Sequence, residues 1–195
     1  MYTVKNNIEK TIIINKSKFI SKSYFVTDTN EANNILNNLK DKYSDATHVC
    51  FGYIINNSIK YSDDNEPNNT AGLPIYNVIS KNKLNCVLIV VIRYFGGIKL
   101  GAGGLTRAYS NSAIEVINDN ITELVNGYTI KIELDYIFIK NVDYILKDVN
   151  IINKEYNENI AITFEISIDR LDIIKEKLNN YIKSFIIINN TYIRK

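Results

Sequence analysis

Cysteine and proline occur only twice each in the 195 residues, and histidine and methionine only once. Cys50 and Cys86 are too few for a disulfide framework. Both sit in apolar, strand-like runs, where a free thiol behaves as a small hydrophobe. No apolar run approaches the ~18 residues that a membrane span needs. The opening MYTVKNNIEK has no apolar core, so no signal peptide is expected. A cytoplasmic protein without membrane contact is the simplest expectation. The formal charge of +2 is too small to argue for nucleic acid by itself. Several chemical signatures are also missing. No Gly-Lys-Ser/Thr completes a Walker A loop, and Thr106 stands where a dinucleotide fingerprint needs glycine. EF-hand spacing is absent, as are H-x-E with P-C-x-x-C and G-x-S-x-G.

One absence is local. Between Glu66 and Glu115 there is no acidic residue, while Lys81, Lys83, Arg93, Lys99 and Arg107 all fall in that interval. Five of the eight glycines lie between Gly96 and Gly104. Glycine is used where the backbone must take positive φ or approach something closely. The segment just before is acidic, with Asp63, Asp64 and Glu66. An acidic loop followed by a glycine-rich cationic stretch is the one region of this chain that suggests a site.

With 46% apolar and 23% charged residues, the chain has the composition of a globular protein with a real core. The pattern predicts strands at Glu9–Ile14 and Phe19–Val26, then a helix through Ala32–Tyr43 with Asp28 and Glu31 as a capping pair. His48–Ile55 and Ile59–Tyr61 read as a hairpin. Pro74 suits the first turn of a helix to about Asn82. Cys86–Phe95 reads as a strand buried on both faces, followed by the glycine loop and a helical stripe from Leu105 to Ile117. The pattern restarts near Asn126-Gly127. A strand at Tyr128–Phe138, a helix through Val142–Val149 and strands at Ile151–Tyr156 and Ile160–Ile168 follow. Asp169 then caps a helix with Leu171, Ile174, Leu178 and Ile182 on one face, and Phe185–Ile193 is a last strand. That βαββαβ order is ferredoxin-like. The expected fold is α+β, with domains at 1–125 and 126–195.

Two readings fit the glycine loop. N–H groups freed at a helix start, with Arg93, Lys99, Gly101, Gly103, Gly104 and Arg107 around them, suit a phosphate or nucleic acid. A tight turn with close strand–helix packing fits as well. Asp63, Asp64 and Glu66 suit a hard cation, a solvated turn, or ion pairs to Arg93 or Arg107. His48 and Cys50 share a strand face and, with Cys86, make three potential zinc ligands; a fourth is missing, so His48 is expected to be buried, hydrogen-bonded and structural. Tyr94, Phe95 and Tyr109 suit base stacking or a core equally. No residue is assigned a catalytic role, and neither metal nor cofactor is expected.

The segments Lys16–Ile20, Asp45-Ala46-x-His48-x-Cys50, Ser62-Asp63-Asp64-x-Glu66-Pro67, Thr70-Ala71-Gly72-x-Pro74 and Arg93–Gly97 with Leu100-Gly101-x-Gly103-Gly104-Leu105 resemble the YigZ/IMPACT family. Two of that family's glycines appear here as Asn65 and Asn69, and asparagine is the next-best residue for the left-handed region. The resemblance implies an N-terminal domain like the second domain of the small-subunit ribosomal protein S-five, and a ferredoxin-like tail. A similar pair of domains occurs at the tip of elongation factor G. Eukaryotic members act in translational control, by competing for the activator of an initiation-factor kinase. The resulting expectation is a non-enzymatic protein that engages RNA, the ribosome or a translation factor. The binding residues would be those of the glycine loop, with Asp63, Asp64, Glu66, Thr70 and Gly72 completing a composite site. A phosphate- or nucleotide-binding enzyme and a protein–protein module are the alternatives, since the same N-terminal fold hosts small-molecule kinases. The ligand and the oligomeric state stay open.

Overall fold

A computed structural model describes all residues from Met1 to Lys195. The chain divides into two compact units, Met1–Glu123 and Leu124–Lys195.

In the first unit β1 (Tyr2–Val4), β2 (Ile8–Ile14) and β3 (Ser17–Phe25) precede α1 (Thr29–Lys42). The hairpin β4 (His48–Ile55) and β5 (Ser58–Ser62) follows, then α2 (Gly72–Lys81), β6 (Val87–Tyr94) and α3 (Gly101–Glu115). Asp28 does cap α1, accepting from Asn30 N–H and Glu31 N–H at 2.8 and 2.9 Å. The sheet runs β2-β3-β6-β4-β5, with every neighbouring pair antiparallel. The central strand β6 is buried from Val87 through Arg93. Its alternation sorts two cores: Val87, Ile89 and Val91 pack with residues of α2 and α3, whereas Leu88, Val90 and Ile92 pack with Ala32, Leu36 and Leu39 of α1. The period of two explains why a nearly all-apolar strand is needed there: both of its faces are covered. It also turns Arg93 toward the α2–α3 side, in line with Val91.

β7 (Ile121–Leu134) starts in this unit, pairing Val4 with Ile121 and Tyr2 with Glu123. Asn126-Gly127, where the pattern restarts in the sequence, lies within β7. β7 starts seven residues before the expected start at Tyr128. Gly127 is there for space: a Cβ would overlap the Ile193 side chain and lie 2.5 Å from the Ile166 carbonyl. The strand also ends earlier than expected, and Tyr136–Phe138 form a single 3-10 turn.

The second unit continues with α4 (Ile139–Ile145), β8 (Asn150–Tyr156), β9 (Ile160–Ser167), α5 (Ile168–Leu178) and β10 (Ser184–Arg194). Its strands are ordered β10-β7-β9-β8, all antiparallel. This is the ferredoxin-like arrangement. Ile130, Ile132, Ile162 and Phe164 share one core with Val142 of α4 and Ile174 and Leu178 of α5. Asp169 is not the cap of α5; that position is Ser167, which makes no side-chain cap bond. Asp169 lies in the first turn, its carboxyl held below the usual range by a hydrogen bond with Ser167.

Candidate functional site

The acidic loop between β5 and α2 turns its carboxylates inward. Asp63 Oδ1 accepts from Ala71 N–H and Gly72 N–H at 2.9 and 2.8 Å, and Oδ2 from Asn69 N–H at 2.8 Å. Asp63 thus supplies the cap that Ala71, at the N-cap position of α2, does not. These N–H groups have no intrahelical partners, so a carboxylate is a strong solution. Asp64 Oδ2 accepts from Val49 N–H at 2.6 Å. Asp64, Asn65 and Asn69 all have positive φ, at 43°, 68° and 62°, so the asparagines do take left-handed positions. Thr70 O–H donates to the Pro67 carbonyl at 2.6 Å. Gly72 is required by close approach, since a Cβ would lie 2.6 Å from the Ser62 backbone.

Glu66 goes deepest. It is 7% exposed and pairs with the equally buried Arg93, Oε1 to Nη1 at 2.5 Å. The same oxygen accepts from Tyr109 O–H at 2.8 Å. His48 Nδ1 lies 2.7 Å from the Asp64 carbonyl, which makes Nδ1 the protonated donor. Its Nε2 faces Glu66 Oε1 at 3.7 Å, beyond hydrogen-bond length. The Cys50 thiol donates toward the Asp63 carbonyl at 3.0 Å. Burial pushes the Cys50 thiol and the Tyr109 phenol well above their usual ranges, so neither is an activated nucleophile. Cys86 is likewise raised, to about 11, by burial. It hydrogen-bonds to Asn56, away from Cys50. No three His, Cys, Asp or Glu side chains are gathered to hold a metal ion.

The glycine segment differs from its sequence reading. Gly101, Gly103 and Gly104 are the first turn of α3 and not a loop, so the connection from β6 is only Phe95–Leu100. Gly101 has φ +67° and Gly97 +85°. Gly96 sits so close to the β2–β3 turn that a Cβ would overlap the Lys16 carbonyl. Gly96 N–H donates to Ser17 Oγ at 3.2 Å and Phe95 N–H to Thr47 Oγ1 at 2.9 Å, so the connection is pinned on both sides.

α3 begins without a side-chain cap and with no acid in its first turn. Its start opens on a cleft of about 440 Å³ lined by Thr47, His48, Glu66, Pro67, Arg93, Phe95, Lys99, Leu100, Gly101, Ala102 and Leu105. Apolar walls with a few polar groups on one side are the usual makeup of a ligand site, and the volume is in the usual range. Of the three cations expected around the loop, only Lys99 offers the cleft an unpaired charge. Arg93 is neutralised by Glu66. Arg107 lines a neighbouring groove with Ile14, Asn15, Leu100, Gly104, Ala108 and Asn111. His48, expected in the core, is instead part of the cleft wall. Thr47 and Ala102 line the cleft as well and carry no signal of their own in the sequence. The β4–β6 register that sets His48 opposite Arg93 is what places the His48 wall there.

The fold and cleft define a two-unit α+β protein whose first unit carries a helix start without a side-chain cap beside a buried Glu66–Arg93 pair. Residues 15–117 match the Impact N-terminal domain. The IMPACT family member YvyE of Bacillus subtilis (strain 168) is 39% identical over 165 residues, covering 82% of this chain and 76% of that protein. The IMPACT family member YigZ of Escherichia coli (strain K12) is 29% identical over 153 residues, covering 73% and 74%. A crystal structure described only as that of a hypothetical protein superposes with a TM-score of 0.62 over 96% of this chain and 97% of the other, at 22% identity, which speaks to fold alone. The chain belongs to the IMPACT family.

Proposed function

We propose that this protein regulates translation in the cytoplasm by engaging RNA or the ribosome, without catalysing a reaction, and that the cleft at the start of α3 is the contact. The observation that carries this reading is the uncapped start of α3, opening with Lys99 on an apolar cleft. Unpaired N–H groups and the positive end of a helix dipole favour a phosphate. Arg107, whose guanidinium lies by Gly103 on the side of the neighbouring groove, adds a second cation near the helix start. The rest of the site supports binding over catalysis. Asp63, Asp64 and Glu66 are all engaged in holding the fold, and burial keeps the Cys50 thiol protonated. The link to translation rests on family resemblance, since eukaryotic members act in translational control. No helix is long and apolar enough to cross a membrane.

Co-sedimentation with ribosomes and RNA at two salt concentrations tests this. Phosphate contact requires steep weakening as salt rises. The double variant Lys99→Ala/Arg107→Ala should lower the salt slope by up to about 2, roughly one unit per lost contact. No RNA or ribosome association by the parent at low salt would overturn the reading in favour of a protein partner. Saturable nucleotide binding with turnover would favour an enzyme.

A further inference from the structure

The cleft holds one feature that phosphate binding does not need. Phe95 is 46% exposed, yet it is far from loose. Its N–H is held by Thr47, and the next residue, Gly96, is wedged against Lys16 and bonded to Ser17. Its ring lies 5.5 Å from the Arg93 guanidinium carbon, whose other aromatic neighbour is Phe19, also at 5.5 Å. Arg93 itself is fixed by Glu66 and Ser17. It is 5% exposed, and its Nε has no hydrogen-bond partner although the residue lines the cleft. A buried cation therefore packs against an exposed ring whose backbone is pinned on both sides. An exposed aromatic normally loses contact area without return; one held this firmly beside an anion-accepting helix start is a preorganised platform.

The geometry points to a ligand that is one nucleotide unit, its base stacked on Phe95 and its phosphate at the start of α3 beside Lys99. Pro67, Leu100 and Leu105 supply apolar walls for the sugar and base edge. Every base has a π-face, so such a platform reads unpaired nucleotides with little regard for sequence. A base inside a duplex cannot reach it. This inference rests on the RNA reading above and narrows it to an unpaired nucleotide, from a single strand or as a free mononucleotide.

The chain contains no tryptophan, so Phe95→Trp places a single indole reporter at the platform while keeping an aromatic ring. Three probes are titrated into the full-length variant: a five-nucleotide oligoadenylate, the same backbone with abasic sites, and adenosine monophosphate. Expected is quenching of the indole by the oligoadenylate and not by the abasic strand. In parallel, Phe95→Ala should weaken oligoadenylate binding by about 5- to 150-fold, the range of one lost base stack. Quenching by the mononucleotide alone supports the platform, names the free nucleotide as its source and removes the RNA reading. Equal affinity for the abasic and intact strands, without quenching, overturns the platform and leaves the RNA reading standing. Absence of binding by all three probes and by longer RNA overturns both.

Discussion

Two polar segments border the same cleft, and they use their polar groups in opposite ways. In the acidic loop, Asp63 caps α2, Asp64 binds Val49, and Glu66 sits 7% exposed against Arg93 and Tyr109. In the segment from Phe95 to Gly104, the helix start has no side-chain cap, Lys99 has no counterion, and an aromatic ring faces outward. Charge density alone would rank the acidic loop as the more reactive of the two. Its groups are already partnered with backbone and with buried Arg93, so it is scaffold. The glycine segment, poorer in charge, gives its helix start no side-chain cap, the kind of end at which an anion is favoured.

Substitutions that act on one segment and spare the other sharpen this contrast. The largest effect is expected at Glu66→Ala, which leaves Arg93 buried without its counter-charge. A loss of about 3–5 kcal/mol in urea unfolding is expected. The double variant Glu66→Leu/Arg93→Met should recover most of it, because removing both charges removes the desolvation cost. A loss below about 1 kcal/mol for Glu66→Ala would mean that the pair is not an internal prop.

Asp63→Ala comes next. It deprives three backbone N–H groups of their acceptor, and a loss of about 1.5–3 kcal/mol is expected by thermal or urea unfolding. Glycine substitutions then compare positions within the second segment. Gly96→Ala should cost about 1–3 kcal/mol, since its Cβ meets the Lys16 backbone. Gly103→Ala meets only Arg107 Nη1 at 3.6 Å and should be neutral or stabilising by up to about 1 kcal/mol. Equal costs at the two positions would contradict the packing described. The smallest effect on folding is expected at Lys99→Ala, within about 0.5 kcal/mol of the parent, while the salt slope of RNA binding falls by about 1. A large stability loss there would place Lys99 with the scaffold and erase the contrast.

Much of the architecture is set by local pattern. The apolar run Val87–Ile92, the cap at Asp28 and the βαββαβ order of the tail follow from residue pattern and capping chemistry, which act over a few neighbours. Left-handed backbone at Asn65 and Asn69 falls where the family that the sequence resembles has glycine, so it was legible through the resemblance and not from periodicity. Asn126-Gly127 shows the limit. The pattern restarts there in the sequence, but Gly127 lies inside a strand and serves the close approach of Ile193, 66 residues away in the chain. The site shows the same division. That residues 62–109 hold the relevant groups is visible from glycine and charge spacing. That Arg93 turns inward to Glu66, that His48 joins the cleft wall, and that Arg107 faces another groove depend on strand register and helix rotation. The sequence by itself determined which residues are present and which elements they form. Only the tertiary structure decided which of their charges and donors are already satisfied, because that depends on partners brought together from distant parts of the chain.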